Sequence, residues 1–520
     1  MPAGDQGIIA TRAYDVLSSH SPLVGQYSLV SEVVGHLTYS PGPMLYWLIA
    51  LPARFGSPHT IALVVGIANA LCVLGIVALA RRRGGIASML AVAVAVAFMC
   101  RSFMPEALHD PWNPSAGLLP FALLVFLGWS LACGEHRLLP AVALLASFTA
   151  QCQVAFLAPT LALLAVGLVC LFVSRHGRPA SRLWPWLLAA LAVLMLCWAP
   201  PVIDEIEHSP GNLTLLYRAA TTSSKKMGTT AGTRAIVRAV GIPPRWLRTP
   251  GDPYDNRLSD VQSAPGALAT ISCIAILAAL LAAGVAGAWR RRVDIASAAA
   301  IGLLLCAAFA AVAASTPVGS FKVLSYTLWW GSVAGMFVWL ALGFSAVELV
   351  REVVPARRAR PLLGRPALAG GATVLGLCAA VLIGGSVAIA QPRDVHRSEY
   401  GPIASIESQL EAAKLPHGAT INLRSSLGGV AAPLSQAIKF LLRRERLRIL
   451  QYGAIARLGP WYELDHHPYR YVIYAYDRLA PHDHARILAR ASMREPVGHT
   501  PSGQGMGSLR TVTVSIAPSR

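Results

Sequence analysis

PGPMLYWLIALPARFG, residues 41–56, decides how the rest of the chain is threaded. Its unbroken apolar run is roughly ten residues, half of the ~20 an α-helix needs to cross a bilayer. Counted as a crossing, it would put Arg81-Arg82-Arg83 outside and invert every later loop. Its length suits a helix lying at the membrane surface or re-entering it. The charges beyond it agree with that reading. RRRGG (81–85), SRHGRPASR (174–182), WRRRVD (289–294) and REVVPARRARPLLGR (351–365) follow alternate apolar runs, and GEHR (134–137) falls on the same side. Clusters of Lys and Arg between spans mark the cytoplasmic face.

Working outward, ten spans are expected, at 59–80, 86–101, 115–133, 138–152, 155–173, 183–202, 265–288, 294–314, 323–348 and 367–390. The linkers 102–114, 203–264 and 315–322, and everything after 391, then face outward, as do residues 1–58, with 42–54 resting on the membrane. The start MPAGDQGIIATRAYD has no apolar signal core. An outward N-terminus with no span ahead of it is hard to translocate, so one further helix before Met1 is expected, making eleven. The expected fold is a polytopic α-helical membrane protein of about ten spans plus an interfacial helix, with a small C-terminal α/β domain. Its parts are 1–58 as an outward loop, 59–390 as the transmembrane region with a large outward loop at 203–264, and 391–520 as the extracytoplasmic unit.

Composition supports a membrane protein: of 520 residues 55% are hydrophobic and 13% charged, with a mean hydropathy of +0.53. The net charge of +19 sits largely in linkers that orient helices, so membrane lipid rather than nucleic acid is the expected partner. All nine cysteines fall in or at the ends of apolar runs and none forms a CxxC pair. They read as small core hydrophobes.

The segment after 391 alternates helix and strand periods. SIESQLEAAK (405–414) and APLSQAIKFLLRRER (432–446) read as helices, and GATINLRS (418–425), LRIL (447–450), YRYVIYAYD (469–477) and LRTVTVSI (509–516) as strands. SSLGGVAAP (425–433) is too loose for a phosphate loop.

Acidic residues are nearly absent from the spans, apart from Glu348 at a cytoplasmic end, which argues against an ion-coupled transporter. Polar groups gather instead in the outward loops: Asp5, Arg12, Asp15, Glu32 and His36 in the first; Glu106, His109 and Asp110 in the second; Ser320, Lys322 and Tyr326 at the ninth span. Each has a plainer reading. DPWNP (110–114) is a good turn and helix start, Trp112 suits an interfacial anchor, and Lys322 suits a snorkelling cation.

GDQGIIATRAYDVL (4–17), a loop ending TYSPGPMLYWLIALPARFG (38–56) and a span ending ARRRGG (80–85) together resemble the first outward loop of the GT-C superfamily. These are membrane glycosyltransferases that use polyprenyl-phosphate sugars; protein O-mannosyltransferases and lipid A aminoarabinose transferases are branches. HDPWNPSAGLLPF (109–121) resembles their second outward loop. Gln6 stands where many members carry a second acid, Ser40 replaces the His before Pro41, and Gly42 replaces a Pro.

The resemblance implies transfer of a sugar from a polyprenyl-phosphate donor to a cell-envelope glycan, lipid or protein at the outer face of the plasma membrane, with inversion. Such chemistry needs a base for the acceptor hydroxyl and a cation for the departing phosphate. The catalytic candidates are Asp5, as base, and Asp110. The substrate-binding candidates are Glu106, His109, Lys322, Arg218 and Lys225, with Lys226 beside the last. Gly4 and Gly7 would allow a tight turn and close approach of a sugar. A divalent metal is a candidate cofactor, with Glu106, His109 and Asp110 close enough in sequence to share it. The rival readings are a transporter or flippase for a lipid-linked glycan, and an inactive scaffold-like relative.

Overall fold

The computed structural model describes residues 2–28, 30–31, 35–103, 105–174, 183–222, 225–248, 259–318, 326–353, 397–427, 431–465, 467–477, 485–494 and 509–519. The expected span 367–390 lies outside these residues, as do Ser320 and Lys322.

Three stretches build the site end of the molecule. Helix α1 (Asp5–Tyr14) leads through a loop to α2 (Met44–Phe55), a short apolar helix where the opening stretch predicts one. Helix α2 buries Met44, Leu45, Tyr46, Ile49 and Ala53, while Leu51 and Phe55 stay exposed. A twelve-residue helix with one apolar face out fits a bilayer surface and is too short to cross.

The bundle follows: α3 (Pro58–Arg101), α4 (Leu118–Ala132), α5 (Leu139–Cys152), α6 (Leu157–Ser174), α7 (Trp184–Glu207), α8 (Asn212–Thr221), α9 (Gly228–Val240), α10 (Ala267–Trp289), α11 (Val293–Ser315) and α12 (Gly331–Val353). Among the described residues seven helices are long and apolar enough to cross a membrane. Helix α3 holds two of the expected spans, because its 44 residues break at Gly84 and at Gly85, whose φ of +68° suits a residue without Cβ. Beyond the break the chain turns back: Arg83 pairs with Glu135, while Asn69 Nδ2 donates to the Leu108 carbonyl at 2.8 Å. Helix α5, expected as a full span, has 14 residues. It stops where Gln151 and Gln153 replace apolar residues, and Gln153 is extended. Gln151 Nε2 instead donates to the Cys197 carbonyl at 2.8 Å.

The described parts of the basic linkers meet at one end of the bundle. Arg82 and Arg83 pair with Glu135, Trp129 Nε1 donates to the Asp294 carbonyl at 2.9 Å, and Arg292 binds Asp294, Glu348 and Glu352. The other linkers gather at the opposite end, where Asn113 Nδ2 donates to Ser40 Oγ at 3.2 Å and the Tyr39 amide to Asn212 Oδ1 at 2.8 Å. Helix α4 is buried along almost its whole length, so it runs through the middle of the bundle. Leu63, Ile67, Leu71 and Leu74 on α3, and Leu268, Ile271 and Ile274 on α10, are exposed at helical spacing, as a lipid-facing stripe requires. The eight described cysteines are free thiols.

The C-terminal unit is a five-stranded sheet, order β2-β1-β3-β5-β4, with helices α13 (Arg397–Ala412) and α14 (Ala432–Arg444). Strands β1 (Thr420–Ser426), β2 (Arg448–Leu450) and β3 (Tyr471–Tyr476) run parallel. Strand β5 (Leu509–Pro518) is antiparallel to β3 and to β4 (Arg486–Arg494). Strand β4 was not expected, since RILARASMR is rich in helix-forming residues. A register shift between Ile487 and Ala489 also breaks its alternation, leaving both Leu488 and Ala489 buried.

Helix α1 joins the two parts. Ala3 and Ile8 share the sheet domain's core with Leu434, Ala437 and Leu441, while Ile9, Ala10 and Ala13 pack with Ile49, Ile61 and Val65.

Candidate functional site

Where α1, the first loop and the bundle end meet, a cavity of about 580 Å³ opens. Its lining includes the apolar residues Leu157, Ala158, Leu216 and Val312 and the polar residues Gln26, Tyr27, Ser28, Ser40, Asn113 and Gln153. The charged groups lining it are Asp5, Lys226 and Arg457.

Each is held by its own local structure. Asp5 is the first residue of α1, where a carboxylate meets the positive end of the helix dipole. Gly4 before it takes φ +53°, and its amide donates to the Pro433 carbonyl at 3.0 Å. Gly7 plays a part not foreseen: a Cβ there would lie 2.6 Å from the Gln436 backbone, so its bare Cα admits α14 rather than a sugar. Lys226 sits on a loop pinned to the end of α11, with the Met227 amide donating to Thr316 and the Val318 amide to Lys225. Arg457 lies on the short helix Ile455–Leu458, whose Leu458 carbonyl accepts from Arg12 at 2.6 Å. The Asp5 carboxylate is 3.9 Å from the Arg457 guanidinium, and both side chains are about half exposed, 47% and 56%. Such a pair is weak and opens readily. Trp112 walls the cavity, edge-on to Tyr326 at 4.9 Å between ring centres.

Of the residues expected from the sequence, Asp5 lines this cavity. Asp110 is buried outside the lining, and its Oδ1 accepts the Trp112 amide at 3.0 Å, a turn-forming contact. Glu106 is buried and His109 exposed on the same segment, and neither lines the cavity. Arg218 and Lys225 are exposed beside it, although Arg218's neighbours Ala219 and Ala220 form its wall. Among the described residues no three His, Cys, Asp or Glu side chains converge as a metal site; Glu106, His109 and Asp110 therefore do not fit a shared ion. Arg457, Gln26, Asn113 and Gln153 escaped the sequence reading. Asn113 lay inside a quoted motif, whereas nothing local marks Arg457, 452 residues from Asp5.

No protein-family profile matches the sequence, and no curated protein does. Among solved structures the chain is similar to ArnT from Cupriavidus metallidurans bound to undecaprenyl phosphate, with a TM-score of 0.50 and 14% identity over 98% of this chain and 94% of that one. The chain shares the fold of that structure. The apolar helices and the small terminal α/β unit thus belong to one architecture, and the likeness spans both.

Proposed function

We propose that the protein is a membrane glycosyltransferase that takes a sugar from a polyprenyl-phosphate donor and passes it to a cell-envelope glycan, lipid or protein. The site would work at the outer face of the plasma membrane, with the C-terminal domain extracytoplasmic, as the basic linkers at the other end support. The observation that carries the reading is Asp5 in a cavity lined by both apolar and polar residues, where the bundle meets the sheet domain. Its volume lies in the range of small-molecule sites, enough for a sugar phosphate and the first part of a lipid tail.

In this reading the Asp5 carboxylate takes the proton of the acceptor hydroxyl as that oxygen attacks the anomeric carbon. The bond from that carbon to the phosphate oxygen breaks, and the lipid phosphate leaves with the electron pair. Lys226 and Arg457 stand where they can stabilise the growing phosphate charge. One displacement inverts the anomeric centre. Arg218 and Lys225 then serve as outlying cations at most.

The test is transfer from labelled undecaprenyl-phosphate sugars in membranes holding equal amounts of wild type and Asp5→Asn. A loss of roughly a hundredfold or more supports a base at Asp5. Unchanged transfer moves the chemistry elsewhere, and no transfer by wild type favours the flippase or scaffold reading.

A further inference from the structure

The first loop and the short helix Asn113–Ala116 ahead of α4 contribute two amide side chains whose oxygens have not been accounted for. Gln26 and Asn113 are 7% and 9% exposed. Both line the main cavity and a smaller void of about 10 Å³ behind it, shared with Tyr46, Gln151 and Gly42. Gln26 Oε1, Asn113 Oδ1 and the Tyr46 hydroxyl are buried with no hydrogen-bond partner among the described residues.

The orientation of Asn113 follows from its neighbours. Ser40 Oγ donates to the Cys152 carbonyl at 3.2 Å and so accepts from Asn113 Nδ2 at 3.2 Å. Turning the amide over would set its oxygen against a hydroxyl whose proton is already committed. The backbone of Gln26 is anchored too: its main-chain carbonyl accepts the Ser40 amide at 2.7 Å, within a short pairing in which the Gly25 amide donates to Ser40 and the Ser28 amide to Thr38. The Asn113 oxygen is therefore held toward the cavity, and the buried Gln26 oxygen lines it from an anchored segment. Acceptors in such a place call for a ligand carrying hydrogen-bond donors.

We infer that Gln26 and Asn113, with Tyr46 behind them, form a subsite that reads the free hydroxyl or amino groups of the sugar on the bound lipid. The inference rests on the lipid-phosphate-sugar reading above. The ligand class is a sugar ring with at least two unblocked donors on the face turned to α2 and α4. The subsite is made of uncharged groups, unlike Asp5, Lys226 and Arg457 in the same cavity, so it governs which sugar is held rather than how the phosphate is held.

The test uses the full chain in detergent and native mass spectrometry. Affinities are measured for undecaprenyl phosphate itself and for undecaprenyl phosphate carrying glucose, mannose or arabinose, with monodeoxy forms of whichever sugar binds best. The expected result is that wild type holds one sugar lipid tighter than the bare lipid. Gln26→Met and Asn113→Leu should lose that sugar lipid on the order of tenfold while keeping the bare lipid. At least one deoxy form should show a similar loss on wild type, which holds even if Asn113→Leu misfolds. Equal losses of bare and sugar lipid would mark a purely structural role and overturn the inference, as would variants that bind both unchanged. Wild type that holds the bare lipid but prefers no sugar lipid also overturns it, leaving the lipid reading intact. Wild type that binds no lipid at all would sink that reading and this one with it.

Discussion

The Tyr462 hydroxyl donates to Asp15 Oδ2 at 2.5 Å, across 447 residues of chain. The other Asp15 oxygen meets Arg443 and His20, each at 3.1 Å, and the carboxylate is wholly buried. Arg443 lies over the rings of Tyr14 and Trp461, and His20 stacks on Trp461 at 3.9 Å. Burial first, and then the Asp15 charge, push the Tyr462 hydroxyl far above its ordinary range, so it remains a donor. Because Asp5 begins the helix that leads into Asp15, and Arg457 precedes Tyr462 by one short turn, this contact sets two of the cavity's charges relative to each other.

Breaking that contact should loosen the whole junction. Asp15→Ala and Arg443→Met each leave a buried charge uncompensated, which costs about 3–5 kcal/mol. Thermal unfolding in detergent checks this, and a double-mutant cycle should show strong coupling. Independent, additive losses would mean that the two residues do not act as a pair.

Gly7→Ala should be among the most disruptive small substitutions in the chain. The added methyl would lie 2.6 Å from the Gln436 backbone, which cannot swing aside as a side chain does. Overpacking of this kind costs about 1–3 kcal/mol or more. Loss of expression or of melting temperature reads the effect; an unchanged melting temperature would mean that α1 and α14 sit farther apart.

Asp110→Ala should separate a structural acid from a catalytic one. It removes the acceptor of the Trp112 amide, at a cost of about 0.5–2 kcal/mol by analogy with helix caps. Transfer per folded molecule should fall only severalfold, against the hundredfold expected for Asp5→Asn. A matching collapse in both would return Asp110 to the reaction.

Lys226→Gln and Arg457→Gln should each weaken the lipid phosphate rather than the sugar. A charge-assisted hydrogen bond contributes about 1.5–3 kcal/mol, so each variant should raise the donor KM by roughly tenfold to a hundredfold. The same loss should appear for bare undecaprenyl phosphate. Unchanged donor KM in both variants would remove them from phosphate binding.

Lys439 gives stability a pH dependence with a definite sign. Burial first, then the nearby Arg457 charge, lower its pKa to about 8 from 10.5. Between those values the unfolded chain holds a proton that the folded chain has released, so stability rises with pH through that window. The gain is about 3 kcal/mol at most, at 1.36 kcal/mol per pH unit. Lys439→Met should be more stable than wild type near pH 7, with the gap closing by pH 10. A pH-independent gap would contradict the buried, neutralised amine.

Much of the membrane layout can be read along the chain, because hydropathy and charge act over a few neighbouring residues. The described parts of the basic linkers do meet at one end. Helix α2 is short and one-faced because its apolar run is short. Asp5 stood out because it sits in a recognisable local motif. Strand β4 did not: its residues favour a helix, and only pairing with β5 makes them a strand.

The sequence by itself thus determined most of the long apolar helices, the shortness of α2 and the α/β character of the C-terminal unit. Those properties follow from local periodicity and charge. Tertiary structure alone decided the site. It set Asp5 beside Arg457, placed Lys226 rather than Arg218 or Lys225 on the wall, and turned Gln26 and Asn113 inward. Such choices depend on which face of each helix is buried against partners hundreds of residues away, and no local pattern carries that information.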